Sequence, residues 1–145
     1  MYTYEYPRPM VSADVVLFAG KGEDLKVLLI RRKNEPFKDR WALPGGFLDE
    51  RETLEACAAR ELAEETGITG VALEQLRAFS DPDRDPRGRV ITIVFMGVLD
   101  QPIPATGADD AAEAKWWPVD DLPPLAFDHD RVIPTALDRL RRRAS

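Results

Sequence analysis

Four glutamates and one arginine between positions 52 and 65 are the residues of this chain best spaced for joint chemistry: Glu52, Arg60, Glu61, Glu64 and Glu65. The stretch 53–66 is built almost throughout from Ala, Leu, Glu and Arg, contains neither Pro nor Gly, and stops at Gly67, the residue type expected just past a helix end. The spacing therefore predicts a helix over 53–66. At about 100° per residue with Glu52 as origin, Glu64 falls at about 120°, Glu61 at about 180° and Glu65 at about 220°, so three carboxylates share one face. Leu54, Ala58, Ala59, Leu62 and Ala63 fill the adjoining arc and would pack on a sheet. Like charges at i, i+3 and i+4 disfavour a helix by roughly a few tenths of a kcal/mol per pair. A divalent cation would offset that repulsion. Carboxylate oxygens select Mg²⁺, with Mn²⁺ as the alternative, over Zn²⁺. Arg60 can pair with Glu52 or Glu61 and hold a carboxylate in the orientation a metal needs. The same pattern also describes an ordinary solvated helix face, so helical spacing alone leaves both readings open.

The elements that must position this helix are legible on either side of it. Stretch 11–18 is mostly apolar and β-branched apart from Ser12, Ala13 and Asp14, and ends at Gly20 and Gly22. It reads as a strand followed by a turn, and 26–30 as its antiparallel hairpin partner. In 41–47 the sequence begins as a strand, which Pro44, Gly45 and Gly46 turn into a loop. Two further strands are expected at 71–79 and 90–99, separated by the charged loop 80–89. A loop at 102–110 leads to a short aromatic strand at 115–119. A final helix spans about 130–143, with Val132, Ile133, Ala136, Leu137 and Leu140 at helical spacing. The expectation is an α/β fold with a mixed sheet and two helices, in a single domain over 1–145.

Composition narrows the partners. The chain has 26 Asp and Glu against 20 Lys and Arg, a net charge of −6, which is the wrong sign for tracking a nucleic-acid backbone. An acidic protein still binds an anionic small molecule when a divalent cation stands between carboxylates and phosphate oxygens. Among the 145 residues no run approaches the length of a membrane span, and the N-terminus lacks a basic region followed by an apolar one. A cytoplasmic protein with no nucleic-acid or membrane partner is the expectation. Cys57 is the single cysteine, which excludes an intramolecular disulfide; it reads as a small packing residue and not a nucleophile.

Gly46, Glu52, Arg60, Glu61, Leu62, Glu64, Glu65, Gly67 and Ile68 together resemble the Nudix box, the signature of hydrolases that act on nucleoside diphosphates linked to another moiety. The resemblance extends over nearly the whole chain: the leading hairpin, the Trp41 to Gly46 motif, Trp116 and Trp117, and the last helix fall in the family's order. It implies an α/β/α sandwich with a mixed β-sheet between helices. It also implies metal ligation by Glu61, Glu64 and Glu65 with the Gly46 carbonyl, oriented by Glu52 and Arg60, and attack of a metal-activated water on a diphosphate phosphorus. The general base differs among members. Here it is a box glutamate such as Glu64 or one from a later loop, for which Glu113 is the leading candidate, with Asp109 and Asp110 behind it.

Loop 80–89 is similar to one in bacterial members of the ADP-ribose pyrophosphatase type and in ADP-ribose-sensing Nudix domains, and stretches 31–37 and 126–129 point the same way. Pro82, Pro86 and Gly88 would fix the loop, while Arg84, Arg87 and Arg89 offer guanidinium forks to phosphate or ribose. The alternative is that Asp81, Asp83 and Asp85 neutralise them on a surface turn. Phe37 and Trp41 are candidates to stack on adenine, with a core role as the alternative. His129, the only histidine, reads as structural, and Tyr2, Tyr4 and Tyr6 as an edge strand or a homodimer contact. The expected reaction is hydrolysis of ADP-ribose to AMP and ribose 5-phosphate. The alternatives are another nucleotide, such as an oxidised nucleoside triphosphate or a dinucleotide, and a non-catalytic ADP-ribose sensor.

Overall fold

The structure is a computed structural model that describes residues 2–144, with the side chain of Ala144 left out. Seven strands form one mixed sheet: β1 Met10–Ala19, β2 Lys26–Arg32, β3 Trp41–Ala42, β4 Gly45–Phe47, β5 Glu74–Phe79, β6 Val90–Leu99 and β7 Ala111–Pro118. Two helices, α1 Leu54–Thr66 and α2 His129–Ala144, complete it. The long parallel pairing of β1 with β6, from Met10 opposite Val90 to Ala19 opposite Leu99, is the spine. On its far side β6 pairs antiparallel with β5. β1 and β2 pair only beside their connection, at Phe18 with Val27 and Ala19 with Lys26. Past that point they splay, and β4 fills the vacated edge of β1 while β3 and β7 pair with β2. The expected hairpin is present, opened into a wedge.

Alternation along the strands gives two cores. Val16, Phe18, Val27, Leu29, Val94 and Met96 face Val132, Ile133 and Ala136 of α2. Ala13, Val15, Leu17, Leu28 and Phe95 face Cys57, Ala58 and Leu62 of α1. One helix on each face of the sheet is the sandwich the sequence led us to expect. The seam between splayed β1 and β2, floored by β4, is where α1 delivers its carboxylates.

Two element boundaries and the roll of one helix depart from the sequence reading. Residues 71–73 do not pair. The backbone there crosses over β6 so closely that a Cβ on Gly97 would sit 2.8 Å from the carbonyl oxygen of Ala72. β7 starts at Ala111, four residues ahead of expectation, because it follows β2 through a register shift at Arg31 and Arg32. The buried face of α1 runs through Cys57, Ala58, Leu62, Glu65 and Thr66, while Ala59 is exposed and Ala63 half-buried. The helix is thus rolled so that a glutamate lies on its inner face.

Candidate active site

Helix α1 begins and ends by its own chemistry. The side chain of Thr53 accepts from the Ala56 N–H at 3.1 Å, and Gly67, in the left-handed region at φ 77°, closes the last turn onto the Ala63 carbonyl. Just before the cap, the Glu52 carboxylate accepts from the Asp49 N–H at 2.9 Å and from Arg60 through both Nε (2.9 Å) and Nη2 (2.6 Å). This fork holds Glu52 down to about 2, through Arg60 first and the Asp49 N–H second. The same guanidinium donates through Nη1 to Glu61 at 2.8 Å and Glu64 at 3.2 Å, and through Nη2 to the Phe47 carbonyl at 3.3 Å. Arg60 therefore ties the loop after β4 to the glutamates of α1, and hydrogen bonding to Glu52 raises its pKa further above the ordinary arginine value.

Glu61 and Glu65 enter the seam beside the two glycines of β4. Glu65 is buried, and its Oε1 accepts from the Gly45 N–H at 2.7 Å. Both glycines are required by contact. A Cβ on Gly45 would lie 2.0 Å from Asp14 Oδ1, and one on Gly46 would lie 2.4 Å from Glu61 Oε1. Burial pushes Glu65 up to about 8, with Glu61, Asp14 and Asp110 adding repulsion. Burial also raises Glu61, helped by Glu64 and Asp110 and opposed by Arg60. Such crowded carboxylates are stabilised by a cation. Their hard oxygen donors and the side-chain-free cradle fit Mg²⁺ or Mn²⁺. Among the described residues, no three Asp, Glu, His or Cys side chains converge as a preformed metal cluster. Arg60 holds Glu61 and Glu64, and Gly45 holds Glu65.

The seam opens as a cleft of about 400 Å³, lined by six carboxyl groups and three guanidiniums, a formal excess of three negative charges when every carboxyl is ionised. Asp14 is buried on β1; burial raises its pKa, but His129, Thr92 and Arg84 outweigh that and the net shift is downward. Thr92 donates to it at 2.8 Å. His129 Nδ1 accepts from the Leu43 N–H at 3.0 Å, which leaves the proton on Nε2, 3.7 Å from Asp14. His129 is accordingly structural, as expected, yet it lines the cleft.

The loop arginines are engaged within the protein. Arg84 is buried and forks onto Asp128 at 2.9 and 2.7 Å, and Arg87 forks onto Asp85 at 3.1 and 2.8 Å. Arg89 donates to the Ser80 carbonyl. Asp81 pairs with Arg131 at 3.0 Å and not with a loop arginine. Of the three, Arg84 and Arg87 line the cleft. Phe37 packs edge-on to Phe127 and borders a neighbouring hollow beyond Arg84. Trp41 is not brought to the cleft: it packs against Trp117 in the α2-side core, with ring centroids 5.1 Å apart. Glu113, expected in a loop, lies in β7 opposite Arg31 with an ion pair at 3.5 Å, outside the cleft lining. Asp110, one residue before that strand, lines it instead. Cys57 is fully buried with its thiol 3.7 Å from the Gly46 and Phe47 carbonyls, and burial with the nearby Glu52 pushes it up to about 12. Glu64 is exposed on the outer side of α1. Sequence reasoning missed Asp14 and Arg32 as lining residues. The one available signal was an acid interrupting an apolar strand.

A mixed sheet between two helices, with a glutamate-rich helix following a Gly-Gly strand, defines the class, and residues 8–136 match the NUDIX domain family. The chain belongs to the Nudix family and is a Nudix pyrophosphohydrolase. It is 46% identical over 129 residues to the ADP-ribose pyrophosphatase of Methanocaldococcus jannaschii, covering 88% of this chain and 73% of that protein. It is 34% identical over 143 residues to an ADPR responsive transcriptional repressor of Acinetobacter baylyi, covering 96% of this chain and 57% of the repressor. The NUDIX domain of Shewanella oneidensis NrtR, solved with ADP ribose, superposes with a TM-score of 0.86 at 38% identity, covering 93% of this chain and 90% of that one.

Proposed function

We propose that this chain hydrolyses the diphosphate of a nucleoside diphosphate linked to another moiety, with ADP-ribose as the first substrate and AMP and ribose 5-phosphate as products. The observation that carries this reading is the pairing, within one cleft, of the Glu61, Glu65, Asp14 and Asp110 carboxylates with the Arg32, Arg84 and Arg87 guanidiniums. Cations bound among the carboxylates would supply an activated water and neutralise charge on the phosphoryl oxygens. Glu61, Glu64, Glu65 and the Gly46 carbonyl are the groups proposed to hold them. Arg60 and Glu52 fix the angle of the ligand helix, and the glycine pair lets α1 approach the floor. Buried Asp14, with His129, holds the β4 edge in register through Leu43. The guanidinium wall faces the anionic substrate. Of the acids after β6, Asp110 now stands ahead of Glu113 as the proton acceptor from water, because it borders the cleft.

The likeness to an ADP-ribose pyrophosphatase and to an ADP-ribose-bound domain supports this substrate choice. The likeness to a repressor favours a second reading, an ADP-ribose sensor. A panel of ADP-ribose, oxidised nucleoside triphosphates and dinucleotides, incubated with Mg²⁺ and analysed by chromatography, separates the readings. ADP-ribose is expected to yield AMP and ribose 5-phosphate. Turnover of another compound with ADP-ribose intact would overturn the substrate, and binding of ADP-ribose without cleavage would establish the sensor.

A further inference from the structure

Residues 126–129 form a tight turn that enters α2. Ala126 N–H donates to the Trp41 carbonyl at 2.8 Å, and His129 N–H donates to the Ala126 carbonyl at 3.2 Å. Within the turn Phe127 has φ 53°, the left-handed region that a bulky side chain rarely adopts. The consequence is that three successive side chains diverge. Asp128 meets Arg84, His129 meets Leu43 and Asp14, and the half-buried ring of Phe127 borders the cleft. Disfavoured backbone at a cleft points to a task for the side chain it places.

That ring meets two cations. The Cζ of Arg32 lies 4.9 Å from its centroid and that of Arg87 5.3 Å, both within cation–π range. Phe47 offers Arg87 a second ring at 4.8 Å. The two arginines differ in what else they touch. Arg87 is forked by Asp85, whereas Arg32, half-buried, forms no ion pair among the described residues and donates through Nε to the Pro36 carbonyl at 2.7 Å. Burial and the charge of Arg87 both depress Arg32. Two like charges gathered on one ring, one of them without a carboxylate partner, form a receptor for an anion that bridges them.

We infer that Phe127 is a positioning residue that presents Arg32 and Arg87 side by side as a clamp for a diphosphate, opposite the carboxylate floor. This rests on the diphosphate reading above and adds to it the residue that organises the guanidinium wall. The clamp acts on binding, so its loss falls on KM more than on kcat.

The test uses two readouts. One is steady-state turnover of ADP-ribose. The other is calorimetric binding, in Mg²⁺ buffer, of imidodiphosphate, a nitrogen-bridged diphosphate that resists hydrolysis, which reports on the clamp whatever the chain cleaves. Phe, Leu and Tyr, none of them branched at Cβ, meet comparable backbone strain at position 127, so Phe127→Leu and Phe127→Tyr differ in the ring. Phe127→Leu is expected to weaken imidodiphosphate binding about tenfold and raise KM by a similar factor, with kcat changed less than about threefold and Phe127→Tyr close to wild type. Arg32→Gln, which leaves the turn intact, is expected to weaken binding at least as much. Unchanged binding in Phe127→Leu or Arg32→Gln would overturn the proposal. So would equal losses in the Leu and Tyr variants, or a fall confined to kcat. Clamp behaviour with imidodiphosphate alongside inert ADP-ribose would overturn the substrate reading and leave the clamp standing.

Discussion

Replacing Glu65 by glutamine removes a buried ionisable carboxyl while keeping an oxygen that can accept from the Gly45 N–H. In the metal-free protein Glu65 is raised from 4.5 to about 8, through burial first and through Glu61, Asp14 and Asp110 after it. A carboxylate with a raised folded pKa favours the folded state fully only below its unfolded pKa. Between about 4.5 and 8 the unfolded chain has released its proton while the folded one retains it, so stability falls as pH rises, and above 8 the whole penalty is present. The shift corresponds to about 3 to 5 kcal/mol. In urea unfolding with chelator present, wild type and Glu65→Gln are expected to coincide near pH 4, and the variant to be more stable by about that amount at pH 9. Asp14, lowered below 3.8, acts in the opposite window, its contribution being lost as pH falls in the acid range. Adding Mg²⁺ at pH 8 should stabilise wild type and leave Glu65→Gln nearly unmoved. A constant offset between the two proteins from pH 5 to pH 9 would refute the reasoning.

Gly46→Ala places a methyl 2.4 Å from Glu61 Oε1; displacement of that carboxylate should lower kcat by about a hundredfold, with ADP-ribose turnover and a thermal melt as the paired measurements. Arg84→Ala leaves half-buried Asp128 without its fork and is expected to cost about 3 kcal/mol in urea unfolding, whereas Arg84→Met combined with Asp128→Leu should recover most of that loss. Cys57, fully buried and pushed up to about 12, should stay silent to a chromogenic thiol reagent at pH 8 until the chain is unfolded. Prompt reaction in the native protein would show that the packing around α1 and β4 is looser than described.

How far the sequence could be read follows from which interactions are local. Helix α1 was legible because its composition and its stop at Gly67 lie within a few residues of it, although Thr53, read as its first residue, is its cap; of the three carboxylates placed on one face, Glu61 and Glu65 turn inward while Glu64 stays exposed. The roll of α1 was less legible: the sheet, and not the helix, sets which side is buried, so Ala59 ended exposed and Glu65 buried. The strands β1 and β6 followed from two long apolar runs, but their parallel pairing was not read from them, and the splay of β2 away from β1 appears only when β4 and β7 are seen competing for their edges. Asp14 showed only as an acid interrupting an apolar strand, and its place in the site could not be read because its partner His129 lies far along the chain. Arg84 read as a free fork for the same reason, its acceptor Asp128 being 44 residues away. Among Asp109, Asp110 and Glu113, the choice depends on where β7 starts, and that is fixed by its register with β2 and not by any pattern within 109–113.

The central claim is that the glutamates of α1 hold the cation through which a diphosphate is cleaved, and ADP-ribose turnover tests it most directly. The measurement compares wild type and Glu64→Gln, in Mg²⁺ and in chelator, with AMP and ribose 5-phosphate identified as products. Turnover by wild type in Mg²⁺, none in chelator, and a loss of about a thousandfold in Glu64→Gln with its melt unchanged are expected. Undiminished turnover in chelator, or by Glu64→Gln in Mg²⁺, would contradict the claim.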